Sequence, residues 1–463
     1  MNSEMNAQEY VAGLMQRARK AQEIAESYTQ EKVDKLVKAL AWTAVQEGNA
    51  QEISKMAVEE SRLGNYQGKY TKLQKKIRGL LRDIKDEKSV GVIERDEKKG
   101  LIKIAKPVGV IGALVPCTNP EATPFAKAMC AVKGRNAIVF SPHPRTKKTN
   151  KRIVDMMRET LKKYGAPEDL IVTVEDPTLE ISNEVMKQCD LIVATGGSPM
   201  VRAAYSSGTP AYGVGTGNAV IIVDETADIK DAAHKIMLSK TFDYATSCSA
   251  ENSLIIHESI YEEMIQALKE EGGYLVSAQE KEKLQNALWV DGHLNPKIIA
   301  QPAQTIAQAA GIELSEDRKF IMVEEQGIGK DYPFSGEKLS VVVALYKYRT
   351  FEEAIDKVNA ITDYQGKGHS CGIHTTNDDR MIELGSKTKV SRIMVRQPQC
   401  YGNTGDWVNG MPFTMTLGCG TWGGNITTEN IGWKHFINIT WIACPIQAVI
   451  PSDEELFGDI MKN

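Results

Sequence analysis

Among the eight cysteines of the chain, Cys248 has the setting of a reactive group. It lies between Thr241 and Asn252, with Thr246, Ser247 and Ser249 as close neighbours. A helix-like run precedes this stretch and the apolar, strand-like run 253–257 follows, so the thiol stands at an element boundary. Free cysteine has a pKa of about 8.5, and its small thiolate fraction at neutral pH is strongly nucleophilic. Such a group can add to a carbonyl carbon and then carry the acyl group as a thioester. A small, half-buried packing residue is the alternative, and for a cysteine taken alone it is the commoner one.

A thiol that forms tetrahedral adducts needs donors for the oxyanion. Asn119, in Pro116-Cys117-Thr118-Asn119-Pro120, follows a buried-strand pattern, so its amide is expected to face a crevice. Beside the backbone N–H of Cys248 it would stabilise an oxyanion, and losing one such donor costs about 3 kcal/mol. Spacing alone favours a turn asparagine bonded to its own backbone. Ser141, His143 and Arg145, with Lys147 and Lys148, put hydroxyls and cations at a strand end, which suits a ribose or phosphate. An ordinary basic helix start is the alternative, although cations there oppose the helix dipole. Thr195-Gly196-Gly197-Ser198 and the glycines of 213–218, Gly215 among them, would let backbone approach a flat ring or a phosphate, or simply pack tightly. His369 is either an acid or base or the cap of a turn. No HExxH, DxDG or His/Asp/Glu cluster occurs, so no metal is expected.

Positioning these groups falls to an alternating pattern. Apolar strands are expected at 108–115, 137–140, 170–174, 191–194 and 220–223, with helices at 121–133, 148–164 and 179–188. Strands that are apolar throughout imply a parallel sheet covered on both faces. Ligands of such sheets lie beyond the carboxyl ends of the strands, so 116–120, 141–145 and 195–198 converge on one crevice. None is a GxGxxG, and phosphates must be held differently. A second α/β pattern starts near residue 228 and carries Cys248, with elements at 341–346, 351–360, 372–374 and 393–395. Ahead of both patterns, residues 7–60 read as surface helices, Lys69 to Arg78 as a solvated basic helix face, and 90–94 with 101–106 as a hairpin.

Composition narrows the class. A chain of 463 residues is too long for one core, and 42% hydrophobic with 25% charged residues is ordinary for a globular protein. A net charge of -4 argues against nucleic acid as a partner. The cysteines never form a CxxC pair, which excludes a disulfide framework or zinc knuckle. The opening at 1–6 is polar, without a leader pattern, and the longest apolar run is too short for a membrane span, so a cytoplasmic setting with reduced thiols is expected.

Several stretches together resemble the aldehyde dehydrogenase superfamily, in its coenzyme-A-acylating branch. They are 107–111, Pro116 to Pro120, Ser141 to Arg145, Ala194 to Gly197, Phe242-Asp243 ahead of Cys248, and the glycine-rich loop from Leu417 to Asn425. The likeness runs essentially end to end and implies an α/β fold of two doubly wound parallel-sheet domains with a small oligomerisation element. It divides the chain into a cofactor domain at 1–227, a catalytic domain at 228–430, and a segment at 431–463 for oligomer contact, in a homodimer or homotetramer. It implies Cys248 as nucleophile, Asn119 as oxyanion donor, Glu337 on the nicotinamide ribose, and Ser141, His143 and Arg145 at the adenosine end. Thr195, Gly196, Gly197 and Ser198 would underlie the pyrophosphate and nicotinamide of NAD or NADP, with Gly215 beside them.

One departure from the wider superfamily is informative. Hydrolytic members carry a glutamate base where this chain has Tyr212 to Asn218, with no carboxylate. Without that base water is poorly activated, whereas the thiol of coenzyme A needs less help. The expected reaction is therefore oxidation of a small aldehyde to an acyl-coenzyme A, with no metal. Arg396 stands where relatives have a neutral amide, and its fork suits a carboxylate or sulfonate. A structural ion pair is the equal alternative. Thr118 and Asn403 are expected to share the substrate pocket. Similarity of 421–425 and 433–435 to sulfoacetaldehyde enzymes favours that aldehyde over succinate semialdehyde or acetaldehyde. A hydrolytic dehydrogenase and a catalytically idle nucleotide-binding subunit are the competing classes.

Overall fold

The computed structural model describes residues 6–461, apart from the side chain of Ser198. The polar opening at 1–5, read above as lacking a leader, lies outside the described residues.

Four helices come first: Ala7–Glu26, Gln30–Val45, Glu47–Ser61 and Tyr66–Ile84. Each carries an apolar stripe. In the second, Val33, Leu36 and Leu40 are fully buried, and Thr29 caps the helix through the Lys32 N–H at 3.3 Å. These helices pack against the first sheet instead of lying free on the surface. The Lys69–Arg78 run, expected to be solvated, is a correction. Lys69, Lys72 and Lys76 are 0%, 4% and 5% exposed. Their spacing puts them on one helical face, and that face turns inward because acceptors wait for it there.

The first sheet is fully parallel, with spatial order Ile171–Thr173, Ala137–Pro142, Val110–Val115, Leu191–Thr195, Ala211–Val214. Its central strands are buried along their whole length, the pattern of a sheet covered on both faces. The second sheet is also parallel, with seven strands in the order Gly273–Leu275, Phe320–Glu324, Val342–Tyr348, Glu251–His257, Ala219–Val223, Cys371–His374, Ile393–Val395. Ala219–Val223 corrects the sequence reading, which set it in the first pattern. It pairs with Glu251–His257 and Cys371–His374, so the chain changes sheets between Val214 and Ala219, ahead of residue 228. A strand of only apolar residues fits either parallel sheet, and nothing local marks which one it joins.

A third, antiparallel sheet joins the hairpin Gly91–Asp96 and Leu101–Pro107 to Ile437–Ala443. Among the described residues no helix is long and apolar enough to cross a membrane.

The helix Tyr66–Ile84 packs closely against the Phe413 ring at Gly79. A Cβ there would stand 2.2 Å from the Phe413 ring. Gly79→Ala is therefore expected to cost about 1–3 kcal/mol by overpacking. The readout is a lower urea midpoint with unchanged slope, and an unshifted midpoint would show that this contact is not tight.

Candidate active site

The carboxyl ends of the first sheet and the amino ends of the second face one cavity of about 320 Å³. The loop after Val110–Val115 supplies Pro116 to Asn119, and the loop after Leu191–Thr195 supplies Gly196 and Gly197. Ser247 and Cys248 come from the turn ahead of Glu251–His257, and Glu337 and Leu339 from the approach to Val342–Tyr348. Lys72 and Lys76 reach in from the fourth helix.

Cys248 is half-buried. The chain reaches it through three consecutive non-glycine residues with positive φ, Asp243 at 49°, Tyr244 at 51° and Ala245 at 60°. Left-handed backbone is disfavoured for such residues and persists only where surroundings impose it. Here the Asp243 carboxylate imposes it. It accepts from Lys69 Nζ at 2.9 Å, Lys72 Nζ at 2.7 Å, the Asn65 N–H at 2.8 Å and Thr246 Oγ1 at 2.5 Å. Burial works to raise the Asp243 pKa, but Lys69 and Lys72 outweigh it and hold the carboxylate below its ordinary value. From the other side Gly217 presses on the turn; a Cβ there would meet the Cys248 carbonyl oxygen at 1.9 Å.

His369 supplies what the sequence left undecided. It is fully buried, with Nε2 at 3.2 Å from Cys248 Sγ and Nδ1 at 2.9 Å from Ser370 Oγ. Burial, then the nearby Arg392, pushes its pKa down to about 3, so the imidazole is neutral. Burial, followed by Glu337, pushes the Cys248 thiol up to about 12. The resting pair is thus thiol and imidazole, not thiolate and imidazolium. Arg392 holds the loop behind His369, donating to the carbonyls of His369, Gly418 and Thr428. All three bonds are structural.

Asn119 lines the same cavity as Cys248. Its Oδ1 accepts from Lys72 Nζ at 2.5 Å, while its Nδ2 lies 3.2 Å from Thr118 Oγ1. A lysine has only donors, so this contact fixes which end of the amide is oxygen. Sequence gave no hint of the clamp, because Lys72 and Asn119 are joined only by the fold.

Glu337 also lines the cavity, and burial raises its pKa to about 8 even though the Gly217 N–H favours the anion. Residues 212–218 contribute Val214, Gly215 and Thr216 and no carboxylate. A second cavity, of about 230 Å³, shares Pro116, His143, Thr195, Gly196 and Gly197 with the first. Leu179 and Met200 give it apolar walls, and Ser141 and Ser182 give it hydroxyls, 2.9 Å apart. An elongated ligand with one flat apolar end and one end near Cys248 fits this pair of cavities. Arg145 is not part of it. Its guanidinium turns away to the Ser61 carbonyl, a correction to the sequence expectation. Thr195 lies in both cavities, and the side chain of Ser198 lies outside the described residues.

Two of the three substrate expectations are also corrected. Arg396 is exposed, with φ of 52°, and donates to the Thr375 carbonyl at 2.6 Å, away from the cavity lining. Asn403 is fully buried and spends its amide on Gln399, with Nδ2 at 2.9 Å from the carbonyl; the adjacent Thr404 lines the cavity instead. Thr118 does line it. In each failed case a backbone carbonyl claims the side chain first.

The chain belongs to the aldehyde dehydrogenase family, whose model matches residues 2–287. Within the family it falls in the coenzyme-A-acylating branch. It is 49% identical over 457 residues to a sulfoacetaldehyde dehydrogenase (acylating) of Bilophila wadsworthia, covering 98% of each chain. It is 41% identical over 460 residues to a succinate-semialdehyde dehydrogenase (acetylating) of Clostridium kluyveri, covering 99% of this chain and 100% of that one. The crystal structure of an acetylating aldehyde dehydrogenase from Geobacillus thermoglucosidasius superposes with a TM-score of 0.93 at 40% identity, covering 96% of this chain and 98% of that one. The two-sheet architecture expected from the sequence is thereby shared with solved members.

Two outcomes follow from the charge states. Because the Cys248 thiol is held near 12 and His369 near 3, iodoacetamide labelling of Cys248 in the free protein should accelerate about tenfold per pH unit to beyond pH 10. Peptide mass spectrometry follows it, and a plateau between pH 6 and 8 would instead mean a thiolate–imidazolium pair. Asp243→Asn removes a buried countercharge and is expected to cost about 3–5 kcal/mol of stability. The depressed pKa puts that contribution in force at neutral pH and removes it as acid protonates the carboxylate. Equal urea midpoints for variant and wild type at pH 7 would refute it.

Proposed function

We propose that this protein oxidises sulfoacetaldehyde, with coenzyme A and NAD(P)+, to sulfoacetyl-coenzyme A. The observation that carries the reading is Cys248 Sγ at 3.2 Å from a neutral His369 in the cavity that Asn119 also lines. The substrate follows the 49% identity to an enzyme named for that aldehyde.

In this mechanism His369 Nε2 takes the thiol proton as Sγ bonds to the aldehyde carbon, so that no free thiolate has to persist in a site that disfavours it. The new oxyanion is held by Asn119 Nδ2, whose orientation Lys72 fixes, and by the Cys248 N–H. NAD(P)+, when bound, is the acceptor of the hydride that the adduct releases, leaving a Cys248 thioester. Glu337 would hold the nicotinamide ribose, Thr195, Gly196 and Gly197 the pyrophosphate, and Ser141 and His143 the adenosine end. Coenzyme A thiol then attacks the thioester, losing its proton to solvent, and the departing Cys248 sulfur regains its proton from His369. Hydrolysis is disfavoured because residues 212–218 bring no carboxylate to the cavity.

We further read residues after about 430 as the contact between copies in a homo-oligomer. Trp441, Ile446, Val449, Ile450 and Phe457 are at least half exposed there, an apolar run that a second copy would cover.

Cys248→Ala should abolish turnover while leaving cofactor binding intact, and the wild-type product should be an acyl-coenzyme A made only when coenzyme A is present. Free acid formed without coenzyme A would establish the hydrolytic reading, and no turnover with any aldehyde would establish the idle-subunit reading.

A further inference from the structure

The cavity wall holds a cation that the reaction above leaves unused. Lys76 is 5% exposed and lines the cavity. Its Nζ donates to the carbonyls of Gly405 at 2.7 Å and Tyr401 at 3.2 Å, and sits 5.4 Å from the centroid of the Phe413 ring. Among the described residues no carboxylate lies within 4.0 Å of it. The acids nearby are already engaged: Asp243 holds Lys69 and Lys72, Glu121 lies 3.5 Å from Lys72, and Asp406 holds Lys75 at 2.6 Å. Lys69 and Lys72 are therefore balanced by Asp243 and Glu121, and Lys76 is left as the uncompensated charge on this side of the cavity.

Burying an unpaired ammonium is costly. The strain on it is visible in its acidity, since burial and then the neighbouring Lys75 push its pKa down to about 7. Two of its three donors are taken by carbonyls, whose oxygens favour the cation, and one is left. Around it the cavity is apolar, with Phe242, Met415 and Leu417 in the lining. An anion entering such a site gains a charge-assisted bond in a dry setting, where that bond is strongest.

We propose that Lys76 binds the anionic headgroup, sulfonate or carboxylate, of the aldehyde whose carbonyl Cys248 attacks, and so sets the preference for anionic over neutral aldehydes. The inference rests on the reading of Cys248 as the site of aldehyde addition. It assigns to Lys76 the role that sequence assigned to Arg396, which lies outside the cavity lining. The neutral part of the substrate then lies against the apolar wall between the two ends.

The test compares kcat/KM for sulfoacetaldehyde and succinate semialdehyde with that for propionaldehyde, using coenzyme A and NAD(P)+. In Lys76→Met the ratio of anionic to neutral aldehyde should fall about 100-fold, and Lys76→Arg should restore part of it. A fall on either the sulfonate or the carboxylate arm supports the inference. A ratio that stays within about threefold of wild type on both arms overturns it and leaves the dehydrogenase reading standing. Absence of any anionic preference in wild type removes the substrate reading itself, a separate failure. Should Lys76→Met not fold, Lys76→Gln replaces it, and in wild type ethanesulfonate should slow iodoacetamide labelling of Cys248 more than propanol does at equal concentration. Equal protection by the two would also overturn the inference.

Discussion

The site depends on one buried ion cluster, in which the Asp243 carboxylate stands between Lys69 and Lys72. Each end of this cluster holds a different part of the chemistry. Asp243 keeps the left-handed turn that delivers Cys248, while Lys72 grips the oxygen of Asn119 and Lys69 the carbonyl of Thr118. Three segments far apart in sequence, the fourth helix, the 116–121 loop and the 242–248 turn, are thereby fixed by one set of charges. Buried ion pairs often contribute little net energy, so stability alone does not account for the cluster. What apolar residues lack is direction. A carboxylate between two ammonium groups sets the angle of an amide to within a hydrogen bond, and oxyanion stabilisation is a matter of such angles.

The remaining electrostatics follow from dryness. The cavity region raises Cys248 and Glu337 and lowers His369 and Lys76, each toward its neutral form. A site built this way keeps its charge in reserve. Charge develops when an aldehyde adduct forms or an anion arrives, and the low dielectric then makes each compensating contact count for more.

Much of the fold was legible in the sequence because apolar runs and their spacing report burial directly. Leu179–Gln188 and Ile393–Val395 agree with their expected bounds, and most other elements shift by only a few residues. The failures share one physical origin. Ala219–Val223 joins the other sheet, the 69–76 lysines face inward, and Arg145, Arg396 and Asn403 turn to backbone acceptors. Each depends on a partner remote in sequence or on a carbonyl direction, and neither has a local sequence signal. Motif residues such as Cys248, Asn119, Thr195 and Glu337 converge on one cavity. Lys72 and Lys76 have no motif, and only the folded chain brings them there.

The small antiparallel sheet bears on how the protein is made. Leu101–Pro107 pairs with Ile437–Ala443, so the partner of an early strand is translated more than three hundred residues later. At ordinary synthesis rates that interval is on the order of half a minute. Throughout it, the nascent hairpin presents one open strand edge, the kind of surface that invites pairing with a foreign strand. Lys103 is held by Glu94 of the same hairpin at 2.8 Å, whereas Lys106 is exposed, the kind of charge that discourages such pairing.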